Sequence, residues 1–463
     1  MCMPCRYRNV FLACGIVVLI LCAGAVNAGE IIRMSLAECI TTAVKESVVI
    51  HAAREGVSAS EAGRNEAFTS FLPALSTSYS YTRLNEAPET GMPDLSSGVL
   101  VLKRAPIGTK DNYLWQIEAA QPFFTGGRIF SNYKIRESDI DAAHAEERRA
   151  VHETVLSTTE AYFELLKSER LLEVARQALQ QLEAHQATAR SFYEVGLIPK
   201  NDLLFAELEV ADGQQNLVRA ENVVQMSRAR LNIILRRDVD TPVAVEDILQ
   251  YEPFEKEFQE CLQTGYENRP EVTYYSVRLE QAKRLVTVAR SDLFPTLSVI
   301  GNYSRYGDTP GVSGSLYRDQ EDWSVAGVAA WNFWEWGKTK FAVDAGLSRQ
   351  NQASDTLSSM RDQITLEIKS SYLLMREAEK HIFVAEKAIE RAEENYRINV
   401  ERYREQVARS TDVIDAQTLM TKTKSDYYNA LSDYNIARAR LERSMGTNYT
   451  AGGGEAGSEK GMK

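Results

Sequence analysis

Beyond its first 28 residues, this chain of 463 has no run of 18 continuous apolar residues. That excludes a membrane-spanning helix after the N-terminal segment, because a span needs about 20 such residues. Strands are then its only route through a bilayer. Histidine is scarce and scattered, at His51, His144, His152, His185 and His381. His152-Glu153 opens like a zinc-protease motif, but Leu156 stands where the second histidine would be, and no glycine-rich phosphate loop follows a strand. No enzyme is therefore expected: no catalytic residue, no cofactor and no metal. Basic residues are outnumbered by acidic ones, 53 to 64, for a net charge of −11. That balance argues against nucleic acid as a partner. Proline and glycine are both missing from Arg128 to Tyr193. A helix over that whole stretch would be about 100 Å long, more than a compact soluble domain needs.

The first 28 residues read as a secretory signal. Arg6 and Arg8 precede an apolar run from Val10 to Leu21, and Val26-Asn27-Ala28 suits cleavage after Ala28. A membrane anchor is the rival, though the run is short for a span. Lipid attachment at Cys22 is disfavoured by the bulky Leu21 before it. Cleavage would take the net charge to 51 − 64 = −13 and leave two of the six cysteines, Cys39 and Cys261. A disulfide between them is open on sequence; two buried thiols are the simpler reading.

What the chain does have is a duplication. Leu165, Leu172, Leu179 and Tyr193 recur 210 residues later as Met375, Ile382, Ile389 and Tyr403. Leu203, Val210, Leu217, Val224 and Leu231 recur as Val413, Met420, Tyr427, Tyr434 and Leu441. Steps of seven or its multiples are the spacing of a coiled-coil seam, and such stripes are core. Nearer the N-terminus the offset is 222: Cys39 matches Cys261, Pro73 matches Pro295, and Tyr81-Thr82-Arg83 matches Tyr303-Ser304-Arg305. A unit this long is one structural half used twice, not a solenoid repeat.

Within each half the period changes. Ser35-Leu36-Ala37-Glu38 has capping-box spacing and opens helix, which Pro73 ends. Period two follows, with Leu75, Thr77, Tyr79 and Tyr81 alternating with small polar residues. Strands are predicted at about 73–83 and 113–121, with counterparts at about 295–305 and 323–333. Their length, and aromatic residues near their ends, suit tilted membrane strands; soluble hairpins are the alternative. Residues 84–111 hold three prolines and three glycines and read as a long exposed loop. Helical hairpins are expected at about 128–236 and 338–445, turning at Gly196–Pro199 and near Gln406–Ser410. The halves are then 29–237 and 261–446, joined by a linker at 238–260 and followed by a polar tail at 447–463 expected to be disordered.

Four membrane strands cannot close a barrel, since known ones begin at about eight, and open edges in lipid leave backbone groups unpaired. Two copies would supply eight strands and three would supply twelve. Three also suit a tube built from long helices. The fold class is thus mostly α with a membrane β-barrel shared between protomers, four strands each, continued by antiparallel helical hairpins.

These features resemble the TolC family of outer-membrane efflux proteins. The resemblance rests on the duplicated half, the strand pairs after Phe71-Leu72-Pro73 and Leu293-Phe294-Pro295, and the exit Gln121-Pro122-Phe123-Phe124-Thr125-Gly126-Gly127-Arg128. It also rests on the turns Tyr193-Glu194-Val195-Gly196-Leu197 and Asp412-Val413-Ile414-Asp415-Ala416-Gln417. It covers about residues 35–446. It implies a homotrimer in Gram-negative outer-membrane lipid, with a helical tunnel through the periplasm. The trimer would conduct substrates passively from an inner-membrane pump (RND or ABC type) through a periplasmic adaptor, in efflux or type I secretion. A structural periplasmic coiled-coil protein is the alternative. By resemblance, Asp412 and Asp415 form the lumenal constriction, and Gly196, Leu197, Gln406 and Val407 are adaptor-docking tips. The residue-level alternative for Asp412 is a helix N-cap. The chain departs from the family at Gln406, where glycine is common. Ser47-Val48 stands where the second half has Arg269-Pro270, leaving a helix break in the first half open. Trp331-Asn332-Phe333-Trp334-Glu335-Trp336 is unusually aromatic.

Overall fold

The computed structural model describes residues 33–447 except Leu95, Ser97 and Val99. The signal segment, Cys22 and the tail beyond Thr447 lie outside the described residues. Two β-residues, β1 (Arg33–Met34), precede α1 (Leu36–Glu46) and α2 (Val48–Thr69). Four strands follow: β2 (Ala74–Arg83), β3 (Glu89–Asp94), β4 (Val101–Pro106) and β5 (Asp111–Phe124). Then come α3 (Arg128–Glu194), α4 (Lys200–Ile234) and the short β6 (Ala244–Val245). The second half runs α5 (Phe258–Asn268), α6 (Pro270–Arg290), β7 (Thr296–Gly307), β8 (Glu321–Ala330), α7 (Lys338–Arg404) and α8 (Ser410–Ser444). Among the described residues, no helix is long and apolar enough to cross a membrane.

The long helices α3 and α7 have 67 residues each. Glycines start both in the left-handed region, Gly127 at φ 87° and Gly337 at φ 85°. Each folds back on a 35-residue partner, α4 or α8. The heptad stripe fills these seams: Leu165, Leu172, Val224 and Leu231 are buried in one half, Met375, Ile382, Tyr434 and Leu441 in the other. The short helices α2 and α6 lie along the strand-proximal lengths of α3 and α7, and α3 also packs on α6 and α8, which welds the halves together.

The core sits midway along the helices in two clusters. One gathers Leu36, Cys39, Tyr162, Phe163, Leu165 and Leu231; the other gathers Cys261, Ile368, Met375, Tyr434 and Leu441. Cys39 and Cys261 are buried free thiols in different clusters, so they are not paired. Burial pushes the Cys39 thiol up to about 12. The 238–260 linker crosses this waist, where the Tyr162 hydroxyl donates to the Glu246 carbonyl at 2.8 Å and Tyr434 donates to Glu252 at 2.5 Å.

The helix break left open at Ser47 is present in both halves. Ser47 has φ −64° and ψ 120°; Arg269 has φ −64° and ψ 121°. The same bend is held by different chemistry. Ser47 Oγ accepts the Ile50 N–H, whereas Arg269 is buried and reaches Glu271 and Glu367, both at 2.9 Å, and the Ser444 carbonyl.

Four strands form one antiparallel sheet in the order β2-β5-β7-β8. Ala74 faces Ala120 and Thr296 faces Ala330, so both repeat offsets hold in the register. The outer strands β2 and β8 are exposed along their whole length. The sheet differs from the sequence expectation in two places. Residues 84–111 are not only loop: β3 and β4 pair there as a separate hairpin, Glu89 facing Pro106 and Pro93 facing Leu102. Prolines disguised it, yet a two-stranded ribbon tolerates them because, among the described residues, its outer edges pair with no other strand. And β8 ends at Ala330, so Trp331 and Phe333 lie beyond the strand, exposed.

Candidate functional site

The two hairpin ends lie farthest from the sheet. At the first, α3 ends with Gly196 at φ 79°; Leu197 N–H reaches back to the Phe192 carbonyl at 2.9 Å and Gly196 N–H to Tyr193 at 2.9 Å. At the second, Gln406 takes φ 63°, Val407 N–H reaches Arg402 at 2.9 Å and Gln406 N–H reaches Tyr403 at 3.0 Å. Both are Schellman caps, which need a left-handed residue. The substitution of Gln for the family's common Gly therefore leaves the turn shape unchanged, at the strain of a Cβ in that region. No atom crowds the Cβ position at Gly196, so its φ alone favours glycine there. Gly196, Leu197, Gln406 and Val407 are all exposed, and Val195 adds a further apolar side chain to the first end.

Asp412 is not the N-cap considered from sequence. The N-cap lies three residues earlier, at Arg409, and Asp412 occupies the third helical position, where its carboxylate accepts the Arg409 N–H at 2.9 Å. Its counterpart Asp202 has Pro199 at the N-cap, which has no N–H to offer. Asp412 and Asp415, one turn apart, are both exposed.

The structure adds acids that the sequence did not single out. Glu209 is held above the usual carboxylate range, by burial first and then by the charges of Asp212 and Asp415. Asp415 of α8 thus shares an acidic field with Glu209 and Asp212 of α4. A signal existed: Glu209 follows Asp202 by seven residues and so shares its helix face.

Between the ends lies a buried contact. His185 Nε2 is 2.7 Å from Ser410 Oγ, and the Tyr403 ring packs on His185 at 4.9 Å and on Phe192 at 5.5 Å. Burial lowers His185 to about 4, so it is neutral at pH 7. Burial raises the Tyr403 phenol, and Asp202 adds to the effect. Among the described residues, no group of three or more His, Cys, Asp or Glu could hold a metal ion.

The profile of the family described as outer membrane efflux protein matches residues 40–235 and 262–447, one block per repeat. A relative, nodulation protein T of Rhizobium leguminosarum bv. trifolii, is 19% identical over 325 residues, 69% of this chain and 68% of that protein. The Campylobacter jejuni CmeC outer membrane channel superposes with a TM-score of 0.74 at 16% identity, covering 89% of this chain and 85% of that one. The outer membrane protein VceC of Vibrio cholerae gives 0.73 at 17% identity, covering 90% and 97%.

Proposed function

The chain belongs to the outer membrane efflux protein family, and on that premise we propose that three copies form one passive conduit across the outer membrane and periplasm. The carrying observation is the open four-stranded sheet, whose outer strands β2 and β8 leave one edge each without a strand partner among the described residues. In lipid an unpaired backbone group costs several kcal/mol. Closure of the sheets of three copies into a twelve-stranded barrel removes every edge, and their helical hairpins continue the barrel as a tube. Substrates enter from an inner-membrane pump through a periplasmic adaptor that docks on the tips at Gly196, Leu197, Gln406 and Val407.

In this reading Asp412 and Asp415 line the narrow end, joined by the field of Glu209. Three copies stack these carboxylates into rings that attract cations and repel anions. The test is single-channel recording of the purified protein in planar bilayers. Asp412→Asn combined with Asp415→Asn is expected to lower the cation-to-anion permeability ratio severalfold; an unchanged ratio removes the constriction from this site.

A further inference from the structure

The end of the sheet away from the helices holds a cavity of about 440 Å³. One chain builds it, between the two loops that join β2 to β5 and β7 to β8. Directly opposed residues share a face of a sheet. Ser76, Ser78, Ser80 and Thr82 of β2 therefore share a face with Gln116 and Glu118 of β5 and with Asn302 and Ser304 of β7. On the channel reading this polar face is the lumen wall and the cavity sits at the outer mouth; that placement, though not the cavity itself, rests on the reading.

The last row before the loops breaks the polar pattern. Leu114 stands opposite Ser80, and Tyr306 stands opposite Leu114. The repeat does not require this. Leu114, Asn112, Ser80 and Thr82 have Ser324, Asp322, Asn302 and Ser304 as their counterparts in the second half. An apolar floor is thus found in one half only, where the other half has polar side chains and a carboxylate.

The loops supply the walls. Leu84, Pro88 and Ile107 of the first loop add apolar surface, and the Ile107 N–H donates to the Pro88 carbonyl at 2.8 Å. Arg318 of the second loop also lines the cavity, with its guanidinium carbon 3.2 Å from the centre of the Tyr306 ring. Stacking occupies the flat face of the guanidinium and leaves its N–H edge open. That edge grips a carboxylate through two parallel hydrogen bonds. No carboxylate among the described residues forms an ion pair with Arg318. Asp111, at the start of β5, is held elsewhere, by the Tyr81 hydroxyl at 2.7 Å and by Arg83 at 3.3 Å.

We infer that this cavity is a binding site for a small amphipathic carboxylate. Its apolar body rests on Leu114, Leu84, Pro88 and Ile107, and its carboxylate meets Arg318. The volume is within the range of about 300–1,000 Å³ usual for sites that take small molecules. An apolar floor selects a ring or short chain over a hydrated ion, and the single cation selects its charge.

Isothermal titration of the full chain in detergent tests the site, with naphthalene-2-carboxylate and the uncharged naphthalene-2-carboxamide as probes. The carboxylate is expected to bind about tenfold tighter than the amide, the margin of a charged hydrogen bond. Arg318→Gln should remove that margin and leave amide binding unchanged. Leu114→Ser, which copies the counterpart position, should weaken both probes by about tenfold. Equal binding of the two probes to the unaltered chain, or an undiminished margin in Arg318→Gln, overturns the site. Native mass of the same sample decides the conduit separately. A monomer that binds the carboxylate keeps the site and ends the conduit; a trimer that binds neither probe ends the site and keeps the conduit. The two probes on the unaltered chain decide even where a variant fails to fold.

Discussion

The two hairpin ends have one backbone and two chemistries. Gly196 and Gln406 make the same left-handed turn, but Tyr193 is exposed while its counterpart Tyr403 is buried against His185 and Phe192. The second end is the one that is tied down: it contributes Tyr403 and Ser410 to a contact with α3, and in its first helical turn the Asp412 carboxylate accepts the Arg409 N–H. The first end has proline at the cap and an unburied tyrosine. Duplication conserves shape because the backbone hydrogen bonds of a turn are indifferent to side chains. It frees side chains to differ because each end meets different neighbours.

The largest expected contrast lies in the helix breaks. Arg269→Ala leaves Glu271 and Glu367 short of a buried partner and should cost about 3 kcal/mol, whereas Ser47→Ala loses only a cap, about 1 kcal/mol. Unfolding in denaturant followed by circular dichroism measures both, and equal losses would break the contrast. Next is the pH dependence of the tied end. His185 titrates at about 4 when folded and near 6.5 when not, so the unfolded chain binds the extra proton between those values. Stability is therefore full above pH 6.5 and falls as the pH drops toward 4, by about 3 kcal/mol in all at 1.36 kcal/mol per pKa unit. His185→Asn, which installs the residue of the counterpart position Asn395, should flatten that slope in melts recorded from pH 7 to 4.

Smaller effects sharpen the comparison. Asp412→Ala loses both the cap on Arg409 and a favourable charge at the helix N-terminus, about 1 kcal/mol. Asp202→Ala loses only the charge, about 0.5 kcal/mol; paired melts of the two variants compare them. Smallest is Gln406→Gly, which removes the Cβ from a left-handed site and should raise stability by about 0.5 kcal/mol. Gly196→Gln should lower it by a similar amount, and hydrogen exchange at the two turns reads each change locally.

Much of the architecture is legible in the residues because its signals are local. The seven-residue steps from Leu165 and Met375 mark seams that the structure buries, and the alternation from Leu75 marks a strand of the sheet. The break at Ser47 was not legible, since a serine cap and an Arg-Pro step share no sequence pattern. Nor was the β3–β4 hairpin, whose prolines mimic loop. At the tips, glycine marks one turn and is missing from the other. An N-cap at Asp412 lies three residues late because Arg409 is an unusual N-cap. The His185–Ser410 contact spans 225 positions, and no local pattern encodes it.

By itself, the sequence determined the periods, the duplication and the lack of any apolar span, because hydrophobic spacing selects helix or strand within a few turns of chain. Only the tertiary structure decided which equivalent residues are covered and which are left open, because burial depends on what packs alongside. Phe163 and Leu373 hold the same place in the repeat, yet Phe163 is fully buried and Leu373 is half exposed.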